Sequence, residues 1–207
     1  MQMIDLHIHT TYSDGKCDLN EVVKTAEKIG LETIAFTDHG FGHRYGFTKQ
    51  SFKEYLKEGK ILKKSSKINV LLGIEAEAHY LYQVMEYRND LDFILLSNHL
   101  SIPDKKLYEV ILEKMKTYEV DAVAHPYFLD KDIKEAVEVA INRNIAFEIN
   151  TNRYVPEPEV IEYAARKGVK FTIGSDAHNN KRIGDVEWGC NMLRKLGIDE
   201  DSIITEF

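Results

Sequence analysis

Cysteine is scarce in this chain: Cys17 and Cys190 are the only two among 207 residues, and they form no Cys-x-x-Cys pair. A cysteine-rich structural zinc site is thereby removed, and both thiols read as structural, reduced side chains. Positive charge is also short. Lys and Arg total 27 against 34 Asp and Glu, a formal net charge of −7. That balance argues against a broad nucleic-acid or anionic-membrane surface. No apolar stretch is long enough to cross a bilayer, and the N-terminus runs into a strand-like segment without a signal-peptide pattern. Low-complexity segments and linkers rich in Pro, Gly or Ser are missing too. These absences lead to the expectation of a cytoplasmic protein with no membrane partner. Its residues 1–207 are expected to form one domain with a well-buried single core.

What is present is an alternation of short apolar runs with longer amphipathic ones. The runs 3–8, 33–37, 69–78, 92–97, 121–125, 145–150 and 169–175 read as strands. Helical patterns fall at 19–29, 50–64, 104–118, 131–143, 157–167 and 185–196, with a short helix or irregular link at 80–90. Asp18 followed by Glu21 resembles a capping box, and Gly30 suits the C-cap. Seven strand–helix repeats predict a mainly parallel sheet. An open doubly wound sheet gathers its chemistry at one switch point, whereas a (β/α) barrel collects it from the ends of many strands. The distribution of polar residues selects the barrel.

Nearly every predicted strand ends in a potential ligand. The first carries His7 and His9, two apart and so on one face, with Asp14 in the following loop. The second ends in Asp38 and His39, and the third carries Glu75, Glu77 and His79 in one phase. His99, His125, Glu148 with Asn150, and Asp176 with His178 close the remaining four. All eight histidines lie at or just beyond strand ends or inside the third strand, and none is expected in a helix. Imidazole with carboxylate suits Zn²⁺, Mn²⁺ or Fe²⁺. There are too many donors for one ion, and a bridging carboxylate can serve two. Spacing alone leaves Glu75 and Glu77 equal. Asp38 reads as a residue that orients a ligand histidine. His43 and His79 fit surface or pocket-wall roles, and Trp188 and the methionines read as packing.

The segments "DLHIHTTYSDG", "TDHG", "GIEAE", "SNH", "AHP" and "GSDAH", in that order from residue 5 to residue 178, resemble the motifs of the PHP (polymerase and histidinol phosphatase) superfamily. The resemblance implies a single PHP domain folded as a distorted (β/α)7 TIM-like barrel, with two or three divalent ions (Zn, Mn or Fe) at the C-terminal ends of the strands. It implies that His7, His9, Glu75 and Asp176 hold a first ion, and it favours Glu75 over Glu77. Glu75 would bridge to a second ion completed by His99 and His125, and Asp14, His39 and His178 would hold a third.

The activity so implied is hydrolysis of a small-molecule phosphate ester by a metal-activated hydroxide held by Glu75, His125 and Asp176. Guanidinium binds phosphate through paired hydrogen bonds. Arg44, Arg153 and Arg182 with Lys181 all fall in loops on the expected active face, and Arg44 and Arg182 are the preferred phosphate binders. The loop 40–49, "GFGHRYGFTK", reads either as a simple mobile connection or, the favoured reading, as a lid able to stack on a ring of the substrate. Two other function classes compete: a nuclease acting on nucleic-acid ends, and a non-catalytic metal-binding barrel. The acidic charge counts against the first and the full ligand set against the second. Oligomeric state is left open by the sequence.

Overall fold

A computed structural model describes residues 3–128 and 133–204. Seven strands lie in sequence order, every neighbouring pair parallel: β1 (Ile4–Ile8), β2 (Thr33–Phe36), β3 (Asn69–Glu77), β4 (Phe93–Ser97), β5 (Ala122–Val123), β6 (Ala146–Asn150) and β7 (Phe171–Gly174). Parallel neighbours need crossovers, and helices supply them. These are α1 (Leu19–Ile29), α2 (Lys49–Ser65), the short α3 (Leu81–Val84), α4 (Asp104–Thr117), α5 (Lys134–Arg143), α6 (Pro158–Lys167) and α7 (Glu187–Leu196). No helix among the described residues is long and apolar enough to cross a membrane.

The strands are buried on both faces, as a helix-wrapped parallel sheet requires. All five residues of β1 are buried. Added Cβ atoms show which face is which. One on Gly189 of α7 would lie 3.1 Å from the side chains of both Ile149 and Ile173. Those side chains therefore point outward to the helices, leaving Glu148, Asn150, Thr172 and Gly174 on the inner face. One on Gly59 of α2 would lie 2.5 Å from Leu72. That places the alternate residues Glu75 and Glu77 inward. The hydrophobic shell between strands and helices fixes the inner polar face by default.

Local signals agree with the tertiary result. Asp18 and Glu21 form the reciprocal capping box of α1, and Gly30 closes that helix at φ 82°. α2 opens on a reciprocal cap between Thr48 and Ser51. Three differences from the expected elements have physical causes. β5 has two residues rather than five, because His125 at φ 26°, followed by Pro126, turns the chain out of the sheet. β3 ends at Glu77, and Ala78–Tyr80 forms a 3₁₀ turn. His79 therefore lies in a helical turn and is exposed, although the period-two pattern continued through it. The helix expected at 131–143 begins at Lys134, and positions 131 and 132 lie outside the described residues.

The barrel is nearly closed. β1 and β7 share no ladder, and the seam between them is carried by the bridge of Ile8 with Ala177. Asp5 reinforces it from within. Its buried carboxylate accepts from the Ser175 amide (2.9 Å), the Ser175 hydroxyl (2.6 Å) and the Gly184 amide (2.8 Å). Burial pushes the Asp5 carboxyl up, against the pull of these donors. Asp5→Ala would leave buried donors unpaired, at a cost of about 3 kcal/mol. For a domain of this size the thermal midpoint should fall by about 6–12 °C. A midpoint within about 2 °C of wild type, followed by circular dichroism, would show that the seam does not depend on this carboxylate.

Candidate metal centre

The inner polar face converges on Glu75. This residue is 1 % exposed, in mid-barrel. Its Oε1 lies 2.9 Å from His125 Nε2, 3.4 Å from His99 Nε2 and 3.7 Å from His7 Nε2. Its Oε2 lies 2.7 Å from His39 Nδ1 and 3.8 Å from His9 Nε2. One carboxylate thus faces imidazoles delivered by β1 and by the ends of β2, β4 and β5. Asp176, after β7, adds an oxygen 3.3 Å from His9 Nε2. Asp14 reaches in from the first loop, with Oδ1 at 3.2 Å from His178 Nε2 and 3.5 Å from His39 Nε2.

A second ring of carboxylates aims the imidazoles. His7 Nδ1 meets Glu148 Oε1 at 2.6 Å, which turns its Nε2 inward. His99 Nδ1 meets Glu77 Oε1 at 2.5 Å, which turns its Nε2 toward Glu75. Such pairing fixes the tautomer and the ring plane of a ligating histidine. Glu77 therefore sits behind a histidine, and Glu75 sits among the donors. Asp38 accepts from the Thr10 amide, the Thr10 hydroxyl and the Ser13 hydroxyl. It reaches His9 only through Ser13, whose oxygen is 3.5 Å from His9 Nδ1. Its main effect is to hold the loop that carries Asp14.

Two further features mark the site as shaped rather than fortuitous. His125 and Asp176 adopt left-handed backbone at φ 26° and 51°, conformations that cost energy outside glycine. Gly174 is required by contact: a Cβ there would lie 2.4 Å from both His7 Cβ and Glu148 Oε1. The charge balance is equally specific. Burial pushes His7 down, yet Glu148, Asp176 and Glu75 together carry it up to about 10. Burial opposes ionisation of Glu75 too, and the surrounding histidines hold it well below the usual carboxylate range. The carboxylates demand positive charge at the centre.

The donor set fits divalent cations. Asp14 Oδ1, His39 Nδ1 and Glu75 Oε2 are buried and have no hydrogen-bond partner, although the last two approach to 2.7 Å. Buried polar atoms left unpaired call for an explanation, and a shared cation supplies one. Among the described residues, four sets have donor atoms within 4.8 Å of one another: His9, Asp14, His39 and His178; His7, His9 and Glu75; Glu75, His99 and His125; and His39, His43 and His99. Imidazole and carboxylate without thiolate suit Zn, Mn or Fe.

The structure thus brings together His7, His9, Asp14, His39, Glu75, His99, His125, Asp176 and His178. It adds His43, whose ring lies 3.7 Å from that of His39, centroid to centroid. Its position just after "TDHG" was the available signal. Arg44 lies in the loop after β2, over the Tyr45 ring. Arg182 is paired with Asp185 at 2.6 Å and turned toward the Ser175 carbonyl at 3.4 Å. Arg153 is the arginine beside the cluster, with Nε 3.6 Å from Asp176 Oδ2.

The family model described as PHP domain matches residues 5–175. The DNA polymerase/3'-5' exonuclease PolX of Bacillus subtilis is 29% identical over 92% of this chain, which spans only 37% of that relative. A probable phosphatase of Vibrio parahaemolyticus is 28% identical over 98% of this chain and 88% of its own length. Among solved structures, histidinol phosphate phosphatase from Lactococcus lactis, complexed with zinc, L-histidinol and phosphate, superposes with a TM-score of 0.74 at 18% identity. That alignment covers 99% of this chain and 96% of the other.

Glu148→Gln keeps the size of the side chain and removes the charge behind His7. Affinity for Zn²⁺ or Mn²⁺ should fall about 10- to 100-fold. Titration calorimetry on the folded variant checks this, and unchanged affinity would take Glu148 out of the support of the site.

Proposed function

The chain belongs to the PHP domain family, and on that footing we propose that it is a metal-dependent phosphoesterase acting on a small-molecule phosphate ester at a di- or trinuclear site. The observation that carries the reading is the buried Glu75 carboxylate, with imidazoles of five histidines within 3.8 Å of its two oxygens. In the assignment we favour, His7, His9, Glu75 and Asp176 would hold one ion, Glu75 with His99 and His125 would hold a second, and Asp14, His39 and His178 would hold a third. Residues 1–207 are read as one PHP domain. The names of the relatives, a probable phosphatase and a histidinol phosphate phosphatase, support hydrolysis of a phosphate ester.

Ions bound in such a cluster make a water-derived nucleophile available at neutral pH and neutralise phosphate charge. The chain's own contribution is geometric and electrostatic. Glu148 and Glu77 pair with Nδ1 of His7 and His99 and so direct each Nε2 toward the place where an ion would displace its proton. Asp38 anchors the loop that presents Asp14. Arg153 is 44 % exposed and meets Asp176 only at 3.6 Å, a loose ion pair that lets its guanidinium turn onto a phosphate oxygen. Arg182 already has Asp185 as a partner, so we assign phosphate binding to Arg153 first, with Arg44 second. A nuclease reading has PolX in its favour, but this chain spans about a third of that protein and carries a net charge of −7.

Phosphate release should be measured across monoesters and diesters with Mn²⁺- or Zn²⁺-loaded protein. Activity on a monoester that disappears on chelation and in His125→Ala is the expected result. Metal-loaded protein inactive on every ester, or a preference for oligonucleotide ends, would contradict it. Arg153→Ala should raise KM about 10- to 100-fold with metal content unchanged, as loss of a charge-assisted bond predicts. An unchanged KM would return phosphate binding to Arg44.

A further inference from the structure

Asn150, the last residue of β6, is fully buried on the inner face of the barrel. Both ends of its side-chain amide are occupied. Nδ2 donates to Glu148 Oε2 at 3.2 Å. Oδ1 accepts from the backbone amides of Asn152 at 3.1 Å and Arg153 at 2.9 Å. Two N–H groups at one end and a carboxylate at the other fix which end is the oxygen. The Asn150 main chain also pairs with Val155 in both directions, so the turn 150–155 is closed by side chain and backbone together.

Each end of the amide leads to a donor of the cluster. Glu148 Oε2, held by Asn150 and by the His125 amide, leaves Oε1 to meet His7 Nδ1 at 2.6 Å. The turn held by Oδ1 presents Asn152, whose Nδ2 donates to Asp176 Oδ2 at 3.3 Å. The two oxygens of Asp176 are thereby given different tasks. Oδ1 faces His9 Nε2 at 3.3 Å and His7 Nε2 at 3.8 Å, while Oδ2 faces the turn. Asp176 lies beyond β7 in left-handed backbone at φ 51°, where no strand geometry sets its direction. Arg153 reaches the same oxygen only at 3.6 Å, so the Asn152 amide is the bond that stays when the guanidinium turns away.

We propose that Asn150 is a positioning residue for the ion assigned to His7, His9, Glu75 and Asp176. Its amide aims His7 through Glu148 and Asp176 through Asn152, so one buried side chain sets two donors that come from opposite edges of the seam. The inference rests on the metal-dependent reading and names what organises that position. Residues behind a ligand alter metal affinity without touching the ion.

Two variants separate the ends of the amide. Asn150→Asp keeps the oxygen that closes the turn and sets a second carboxylate against Glu148. Asn152→Ala, at an exposed position of the turn, leaves Asn150 intact and releases Asp176 Oδ2. Titration calorimetry should show Mn²⁺ affinity about 10- to 100-fold weaker in each. Cadmium NMR of the Cd²⁺-loaded protein reads bound ions as separate resonances. Both variants should displace the resonance that Glu148→Gln displaces, and leave in place the one lost in His99→Ala. Should Asn150→Asp not fold, Asn150→Ser, too short to reach Glu148 and uncharged, takes its place with the same expectation. Unchanged affinity, displacement of every resonance alike, or a response in only one of the two folded variants would overturn the proposal. Wild-type protein that binds neither Mn²⁺ nor Cd²⁺ would fail the metal reading, and the proposal with it. Metal bound normally by wild type and variants alike would fail the proposal alone.

Discussion

One buried carboxylate faces five imidazoles, and the rest of the molecule is arranged to make that tolerable. Glu75 has lost nearly all contact with water, and a buried charge needs opposite charge or paired donors close by. The histidines supply part of this, from four different strand ends. Oε2 and His39 Nδ1 approach to 2.7 Å without an aligned hydrogen bond, and a divalent cation there, as proposed, would complete the arrangement. The cluster is thus an electrostatic constraint first, and its chemistry follows from how that constraint is met.

The barrel meets it mechanically. Parallel strands in sequence order bring their C-terminal ends to one mouth, so residues from β1 through β7 share a small volume. Hydrophobic packing of Ile149, Ile173 and Leu72 against helices turns their sequence neighbours inward. Asp5 ties the open seam just below the two histidines of β1, and Gly174 lets β7 approach His7 closely enough for Glu148 to reach it. Seam, glycine and supporting carboxylates all fix where His7 sits.

Much of this was legible in the sequence. Strand-end histidines and acids, spaced by helical crossovers, announced a barrel with a polar mouth, and the order of the motifs named the family. Period two put His7 and His9 on one face without the structure. The supporting contacts were not legible. Glu148 stands 141 residues from the His7 it orients, and Asp5 stands 170 residues from Ser175. Periodicity places a side chain on a face and says nothing of its neighbour across the barrel. For the same reason the sequence favoured Arg182 over Arg153, and only tertiary contacts show Asp185 paired with the one and Asp176 beside the other. His79 continued the strand's alternation after the strand itself had ended.

The central claim is that the buried donors around Glu75 hold divalent cations. Anomalous diffraction from crystals grown with Mn²⁺ tests it most directly. The account predicts at least two anomalous peaks on either side of Glu75, one with His99 and His125 and one with His7, His9 and Asp176, at about 2.0–2.3 Å from the donor atoms. Metal confined to other parts of the molecule, with Glu75 left to its histidines alone, would contradict it.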